Sequence, residues 1–388
     1  MVNLARAFAE RGHRVDLVLT RAEGPFLREV PDSVRVVDLQ TQSAPACLPA
    51  LLKAPRDLCV LAPALASISV LRHLPALISY LRREKPALML SALRYSNLTA
   101  LCAVRLAGVR TSLVISEHNT LSVSVRMKDN KMEMRWFAWL EHHFYPRADA
   151  IVAVSNGVAE DLVAMTGLPR ERITTIYNPV VTPELPEMAR VPLAHPWFAP
   201  GSPPVLLGVG GFRLQKDFPT LLRAFARVRA MRPARLVILG QGKKRMELEA
   251  LARELGVAAD VDLPGWVDNP FAYMARAAVF VLSSAWEGLP TVLIEAMACG
   301  CPVVSTDCPS GPAEILDGGA YGPLVPVGDD AALAEAILSV LDAPQDPNRL
   351  RSRAALFSVD HAADRYLEVL QGLCREEQPK NTLSHERR

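Results

Sequence analysis

The chain is poor in the features that mark several protein classes. Its 388 residues hold seven cysteines, at irregular positions 47, 59, 102, 299, 301, 308 and 374, too few and too scattered for a disulfide framework. A reducing, cytoplasmic setting is expected. An excess of either charge is also lacking: 43 Lys plus Arg against 41 Asp plus Glu leave +2, far from the basic surplus of phosphate-backbone binders. Nucleic acid is excluded as the expected partner. Long hydrophobic runs are missing too. The most apolar stretch, Leu58 to Leu71, has 14 residues with Pro63 inside it, short of the roughly 20 that span a bilayer. Met1 to Phe8 has no charged region leading into an apolar core, so no signal peptide is expected.

What is present points to a large folded core. Half the residues are apolar and 22% are charged, enough for two domains of ordinary size. Charge is uneven, since residues 1–180 carry 22 basic and 16 acidic side chains. Short apolar runs at Val15–Leu19, Leu88–Leu90, Leu113–Ser116 and Ala150–Val154 alternate with helical-period stretches such as Leu74–Arg83 and Asn97–Leu106. The rhythm repeats with Val205–Val209, Leu236–Leu239, Val279–Leu282 and Pro302–Ser305. Apolar strands between helices imply parallel sheets covered on both faces. The spacing therefore predicts an α/β chain of two doubly wound domains facing across a cleft. Residues 1–180 form the acceptor-side domain, 205–358 the ligand-binding domain, and 359–375 a helix packing back toward the first. Eight prolines between Pro179 and Pro204 mark 181–204 as a linker, and the polar residues 376–388 read as a disordered tail. Helix-patterned Met1–Arg11 leads straight into a strand, so the first domain is expected to lack its N-terminal strand.

The sharpest motif is Ser283–Ser305, SSAWEGLPTVLIEAMACGCPVVS: strand, tight turn, helix, Gly300 stop, strand. Pro290 suits a first helical turn and Gly300 a C-terminal stop. Gly288, Leu289, Pro290 and Thr291 then frame a helix N-terminus whose free N–H groups suit a diphosphate. Glu287 lies ahead of that helix and Glu295 inside it. A diphosphate would repel both, so in a functional role they accept hydrogen bonds from neutral sugar or ribose hydroxyls. In a bland role Glu287 caps the helix and Glu295 is a surface carboxylate, although apolar neighbours leave Glu295 little surface.

The run EGLPTVLIEAMACGCPVV resembles the E-x7-E region of glycosyltransferase family 4, retaining enzymes of two Rossmann-like domains in the GT-B fold. The similarity extends from about Val205 through Ala336. It implies that Glu287 contacts a donor sugar and Glu295 binds ribose hydroxyls. In VLLGVGGFRLQKDFPTLLRAFA, Gly210 and Gly211 precede Lys216, which falls on the lysine that neutralises the donor diphosphate in that family. The family's arginine position is occupied by Gly211, and the nearby arginine is Arg213. Either Arg213 reaches the phosphates from a shifted place, or Lys216 and helix N-termini act without it. Leu263-Pro264-Gly265-Trp266-Val267 resembles the base-binding turn, with backbone groups near Val267 pairing with uracil and Trp266 either shaping the wall or simply packing. In Ile115–Thr120, His118 either hydrogen-bonds the donor sugar or leaving phosphate, or is structural.

Other patterns carry less. Gly240-Gln241-Gly242 lacks the third glycine of a dinucleotide fingerprint, with Arg245 in its place. Asp260-Val261-Asp262 precedes a turn and reads as solvated. The cysteines and His142-His143 lack zinc spacing. Neither metal nor cofactor is expected, the nucleotide-sugar serving as co-substrate.

The resemblance thus implies a metal-independent, retaining hexosyltransferase using a nucleotide-sugar, UDP-linked, on a glycan or lipid-linked acceptor in cell-surface polysaccharide or glycolipid synthesis. Arg82, Arg83 and Lys85, and Arg126, Lys128, Lys131 and Arg135 beside Trp136, Phe137 and Trp139, offer a peripheral contact with an anionic membrane on its inner face. Rival readings are a sugar-nucleotide epimerase or phosphorylase of the same fold, and a catalytically impaired binding protein.

Overall fold

The computed structural model describes residues 1–40, 72–123 and 139–376. Apolar, β-branched runs fold as short parallel strands because helices cover both faces and no exposed side needs polar residues. In the front domain β1 (Val15–Leu19) pairs with β2 (Val34–Asp38), and β3 (Leu88–Ala92), β4 (Ser112–Glu117), β5 (Ala150–Ala153) and β6 (Ile173–Thr175) form a second sheet in that order. Among the described residues no strand joins these two pieces. Helix α1 (Val2–Glu10) leads directly into β1, as its i,i+4 apolar pattern predicts.

The back domain has one six-stranded parallel sheet. Its strands are β7 (Val205–Val209), β8 (Arg235–Leu239), β9 (Val261–Gly265), β10 (Val279–Leu282), β11 (Val303–Thr306) and β12 (Leu324–Val325), ordered β12-β11-β10-β7-β8-β9. The order reverses between β7 and β10, which makes the carboxyl ends of those two strands the place where a doubly wound sheet binds ligands.

The remaining helices are α2 (Leu74–Glu84), α3 (Arg94–Ala107), α4 (Asn156–Thr166), α5 (Leu185–Arg190), α6 (Phe218–Met231), α7 (Arg245–Glu254), α8 (Phe271–Met274), α9 (Thr291–Cys299), α10 (Pro312–Ile315), α11 (Asp330–Asp342), α12 (Pro347–Ala354) and α13 (Val359–Glu376). The proline-rich segment is more than a linker, because it contains α5. Pro186 sits in the first turn of that helix, where its missing N–H is no loss. The chain crosses between domains at two places that hydrogen-bond to each other: Val180 and Val181 donate to the Phe357 carbonyl at 2.9 and 3.0 Å, and Val359 donates back to Val181 at 3.0 Å. Beyond the second crossing α13 returns to the front domain, burying Ala362, Ala363 and Tyr366 with Leu4, Ala7 and Phe8 of α1. The expected tail begins at the end of α13, and residues 377–388 lie outside the described residues.

Candidate active site

Lys216 and Glu287 meet at the switch point of the back sheet. After β7 the chain runs through Gly210 and Gly211 into a single helical turn, Leu214–Lys216. After β10 it passes Ser283 and Ser284 to Glu287. The two loops are tied together, since Ser283 Oγ donates to the Lys216 carbonyl at 2.8 Å and the Ala285 N–H to the Gln215 carbonyl at 2.8 Å. Lys216 Nζ then lies 2.7 Å from Glu287 Oε1. Ser284 Oγ donates to the same oxygen at 2.6 Å and Gln215 Nε2 to the other at 3.3 Å. Glu287 is 6% exposed and so is no solvated carboxylate, and the N-cap of α9 is Pro290, with no side-chain cap hydrogen bond. Gln215 and Ser284 were not legible as site residues. Their signal is only that they flank the two charged partners.

The glycines of this region follow from close approach. A Cβ on Gly210 would lie 2.9 Å from Lys216 Cε, and one on Gly240 only 2.0 Å from the Gly210 carbonyl oxygen. Gly242 would press on the Phe212 carbonyl at 2.6 Å. The Gly-x-Gly turn after β8 thus lets two loops touch, which accounts for it without a dinucleotide.

Helix α9 starts where the sequence places it, with Pro290 at the N-cap and Gly300 closing the other end in the left-handed region at φ 78°. Its N-cap follows Glu287 by three residues, and the charge of Lys216 acts on Glu295 in its second turn. Glu295, on the second turn, is partly buried, and loss of water pushes its carboxyl up to about 7 against the opposing pull of Lys216 and a hydrogen bond with Thr291. One lysine therefore faces two carboxylates with different environments.

The other predicted residues are less uniform. Arg213 is exposed, and among the described residues its side chain makes no ion pair. It lies beside Gly211, where an added Cβ would be 3.4 Å from Arg213 Nε. Val267 follows β9 and is half-buried, whereas Trp266 is 61% exposed, which excludes plain packing. His118 follows β4, whose last residue, Glu117, is fully buried and accepts from Asn97 Nδ2 at 2.8 Å and from Tyr145 Oη. The imidazole Nε2 is 3.2 Å from Ser116 Oγ. Burial, with the positive amine of Met1 as the lesser cause, lowers its pKa to about 4, so at neutral pH it offers a neutral hydrogen-bonding group. Its carbonyl abuts Gly288, where a Cβ would come within 2.0 Å of the oxygen. The front domain thus touches the Glu287 loop directly.

Two sequence readings need adjustment. Asp260 is not solvated but bonded to Arg229 at 2.8 Å and Arg235 at 3.0 Å. Of the first basic cluster, Arg82 is engaged internally, donating to the carbonyls of Ala107 and Leu106 at the end of α3 at 3.1 and 2.8 Å. The second cluster, Arg126 to Phe137, lies outside the described residues. Among the described residues no helix is long and apolar enough to cross a membrane.

Two family models and several known proteins match the chain. Residues 1–183 match the family model for Glycosyltransferase Family 4 and residues 194–357 that for Glycosyl transferases group 1. The chain is 33% identical over 285 residues to the N-acetylgalactosamine-N,N'-diacetylbacillosaminyl-diphospho-undecaprenol 4-alpha-N-acetylgalactosaminyltransferase of Campylobacter jejuni, covering 71% of this chain and 74% of that one. It is 34% identical over 236 residues to the lipopolysaccharide core biosynthesis glycosyltransferase LpsE of Rhizobium meliloti, covering 58% of this chain and 65% of that one. The structure of Anabaena HepE in complex with UDP and glucose superposes with a TM-score of 0.72 at 19% identity, covering 96% of this chain and 94% of that one. That last likeness speaks to the fold alone. The chain belongs to glycosyltransferase family 4, the group 1 glycosyl transferases, and is a glycosyltransferase of the GT-B fold.

Proposed function

We propose that the back domain binds a UDP-linked sugar and that the enzyme transfers the sugar, with retention, to a glycan or lipid-linked acceptor during cell-surface glycan synthesis. The observation that carries this reading is the Lys216–Glu287 pair, 2.7 Å apart across the switch point, with Glu287 three residues ahead of the N-cap of α9. An ammonium has three N–H donors. Glu287 aims Lys216 with one of them and leaves the others for phosphate oxygens. Departure of the nucleoside diphosphate builds negative charge, which Lys216, the α9 amides and exposed Arg213 stabilise. Glu295 receives the ribose hydroxyls, the backbone near Val267 the base, and Glu287 a sugar hydroxyl. Neutral His118 hydrogen-bonds the sugar from the front side. No side chain here is placed as a nucleophile, which suits front-face attack with the leaving phosphate taking the acceptor proton.

The Campylobacter and Rhizobium relatives, by their names, act on a diphospho-undecaprenol-linked sugar and in lipopolysaccharide core synthesis. An acceptor of this class, presented to the basic front domain at an anionic membrane face, belongs to the same reading. The test is a panel of UDP-sugars with a polyprenyl-diphosphate-linked sugar as acceptor, run with EDTA. Nucleoside diphosphate released only when acceptor is present, and an axial product linkage from an axial donor, are expected. Release without acceptor would mean hydrolysis of the donor, sugar 1-phosphate formed from a glycan and inorganic phosphate would mean a phosphorylase, and interconversion of the donor sugar would mean an epimerase; each would replace transfer.

A further inference from the structure

The two domains meet at a carboxylate, Glu314. Glu314, on α10 of the back domain, accepts from the N–H groups of Asn156 and Gly157, the first two residues of front-domain helix α4, at 2.8 Å each. Tyr177 Oη, also from the front domain, lies 3.4 Å from one of its oxygens. Among the described residues Glu314 makes no ion pair, so the positive end of α4 answers its charge. From behind, Arg353 holds α10 in place, donating to the carbonyls of Glu314 and Ile315 at 2.6 and 3.0 Å.

The same junction reaches the donor loop. Ser155, the N-cap of α4, and Ser310 both place a hydroxyl 2.8 Å from the Gly288 carbonyl oxygen, one residue after Glu287. Close approach is allowed by small residues, for a Cβ on Gly157 would lie 2.8 Å from Ser310 Oγ. Ser310 is itself held at φ 69°, a left-handed geometry that a non-glycine residue keeps only under constraint. The Gly288 loop is thus fixed from both domains at once, and Glu314 supplies the charged anchor of the contact.

We propose that Glu314 is a positioning residue for sugar transfer: by docking on the amino end of α4 it holds the domains together and sets the Gly288 loop, and with it Glu287, against the sugar. This rests on the reading of Glu287 as a donor-sugar contact. In that reading back-domain residues hold the nucleoside and phosphate groups, so chemistry and not donor affinity should depend on Glu314.

The test uses the full chain with Glu314→Ala and Glu314→Gln, the latter turning an amide N–H₂ toward the α4 N–H groups, and Ser155→Ala as a milder second variant. Three quantities are measured: Kd for the UDP-sugar by calorimetry, kcat for transfer, and the radius of gyration in solution with and without that UDP-sugar. Both Glu314 variants should lose about tenfold or more in kcat with Kd changed by less than about threefold, and should fail to become as compact as the wild type. Ser155→Ala should move kcat the same way by less. A wild-type kcat and wild-type compaction in the Glu314 variants would overturn the proposal, as would parallel losses in kcat and affinity. If the wild type itself binds no UDP-sugar, the donor reading falls, while equal radii of wild type and variants without ligand would still count separately against the docking role.

Discussion

The ion pair of Lys216 and the phosphate-binding role proposed for it can be separated by measurement. The pairing with buried Glu287 stabilises the empty protein, because removing one member of such a pair strands the other in a poorly solvated place. Lys216→Ala should therefore lower the unfolding free energy by about 3–5 kcal/mol and reduce kcat/KM at least about tenfold, roughly 1.4 kcal/mol. Chemical denaturation and steady-state kinetics report the two effects. Unchanged kinetics in a destabilised variant would leave the lysine with a structural role only. Glu295 offers a test by pH. Its folded pKa of about 7 lies above that of an unfolded glutamate, near 4.3. The folded state then binds more protons between those values. Stability from this group is present below the lower pKa and lost as pH rises through about 7. Glu295→Gln should flatten that slope in melts taken from pH 4.5 to 8. It should also abolish a weakening of UDP-sugar affinity below pH 7, where the protonated carboxyl accepts ribose hydroxyls poorly.

Helix α9 shows how an element can be read from letters alone. Pro290 and Gly300 bracket it, and both ends fall within a residue of the sequence expectation. Gly300→Ala would force an alanine to φ 78° and push its Cβ to 2.5 Å from Arg351 Nη2, which bonds the Cys299 carbonyl. A loss of about 1–2 kcal/mol is expected from the left-handed backbone, seen as a lower melting temperature with the KM for donor unchanged. A shifted KM would mean that the end of α9 distant from the ligand feeds back on its start. Other elements were hidden for physical reasons. Strand β9 contains Pro264, which normally argues against a strand, and it survives because β9 is the sheet edge. Strand β2 lacks a continuous apolar run, since it is largely exposed. Helix α5 sits where prolines suggested none, its Pro186 falling on the one turn that tolerates it. The charged candidates Lys216 and Glu287 could be singled out because their spacing on recognisable loops carries a chemistry, and the structure brings the two together. Ser155, Ser310 and Glu314 could not, because their partners stand more than 130 positions away or are backbone groups that any sequence supplies.

The whole molecule is two parallel-sheet domains joined at two crossings that pair with each other, Val181 against Phe357 and Val359. The domains also meet at Gly288, which lies against the His118 carbonyl and accepts from Ser155. Gly288→Ala should prevent that meeting, since its Cβ would overlap the His118 carbonyl at 2.0 Å. The variant is expected to remain folded, to show a larger radius of gyration in scattering, and to lose transfer activity by about a hundredfold, a cost near 2.7 kcal/mol at the transition state. A compact and active variant would mean that the domains work in another arrangement.

The ammonium and helix amides at the switch point have one more consequence. In the proposed reaction a spent nucleoside diphosphate carries more negative charge than the sugar-bearing form from which it came, so Lys216 and the helix amides grip waste more firmly than fuel. Turnover should then be paced by ejection of that waste, and accumulating nucleotide should throttle the enzyme unless another activity removes it.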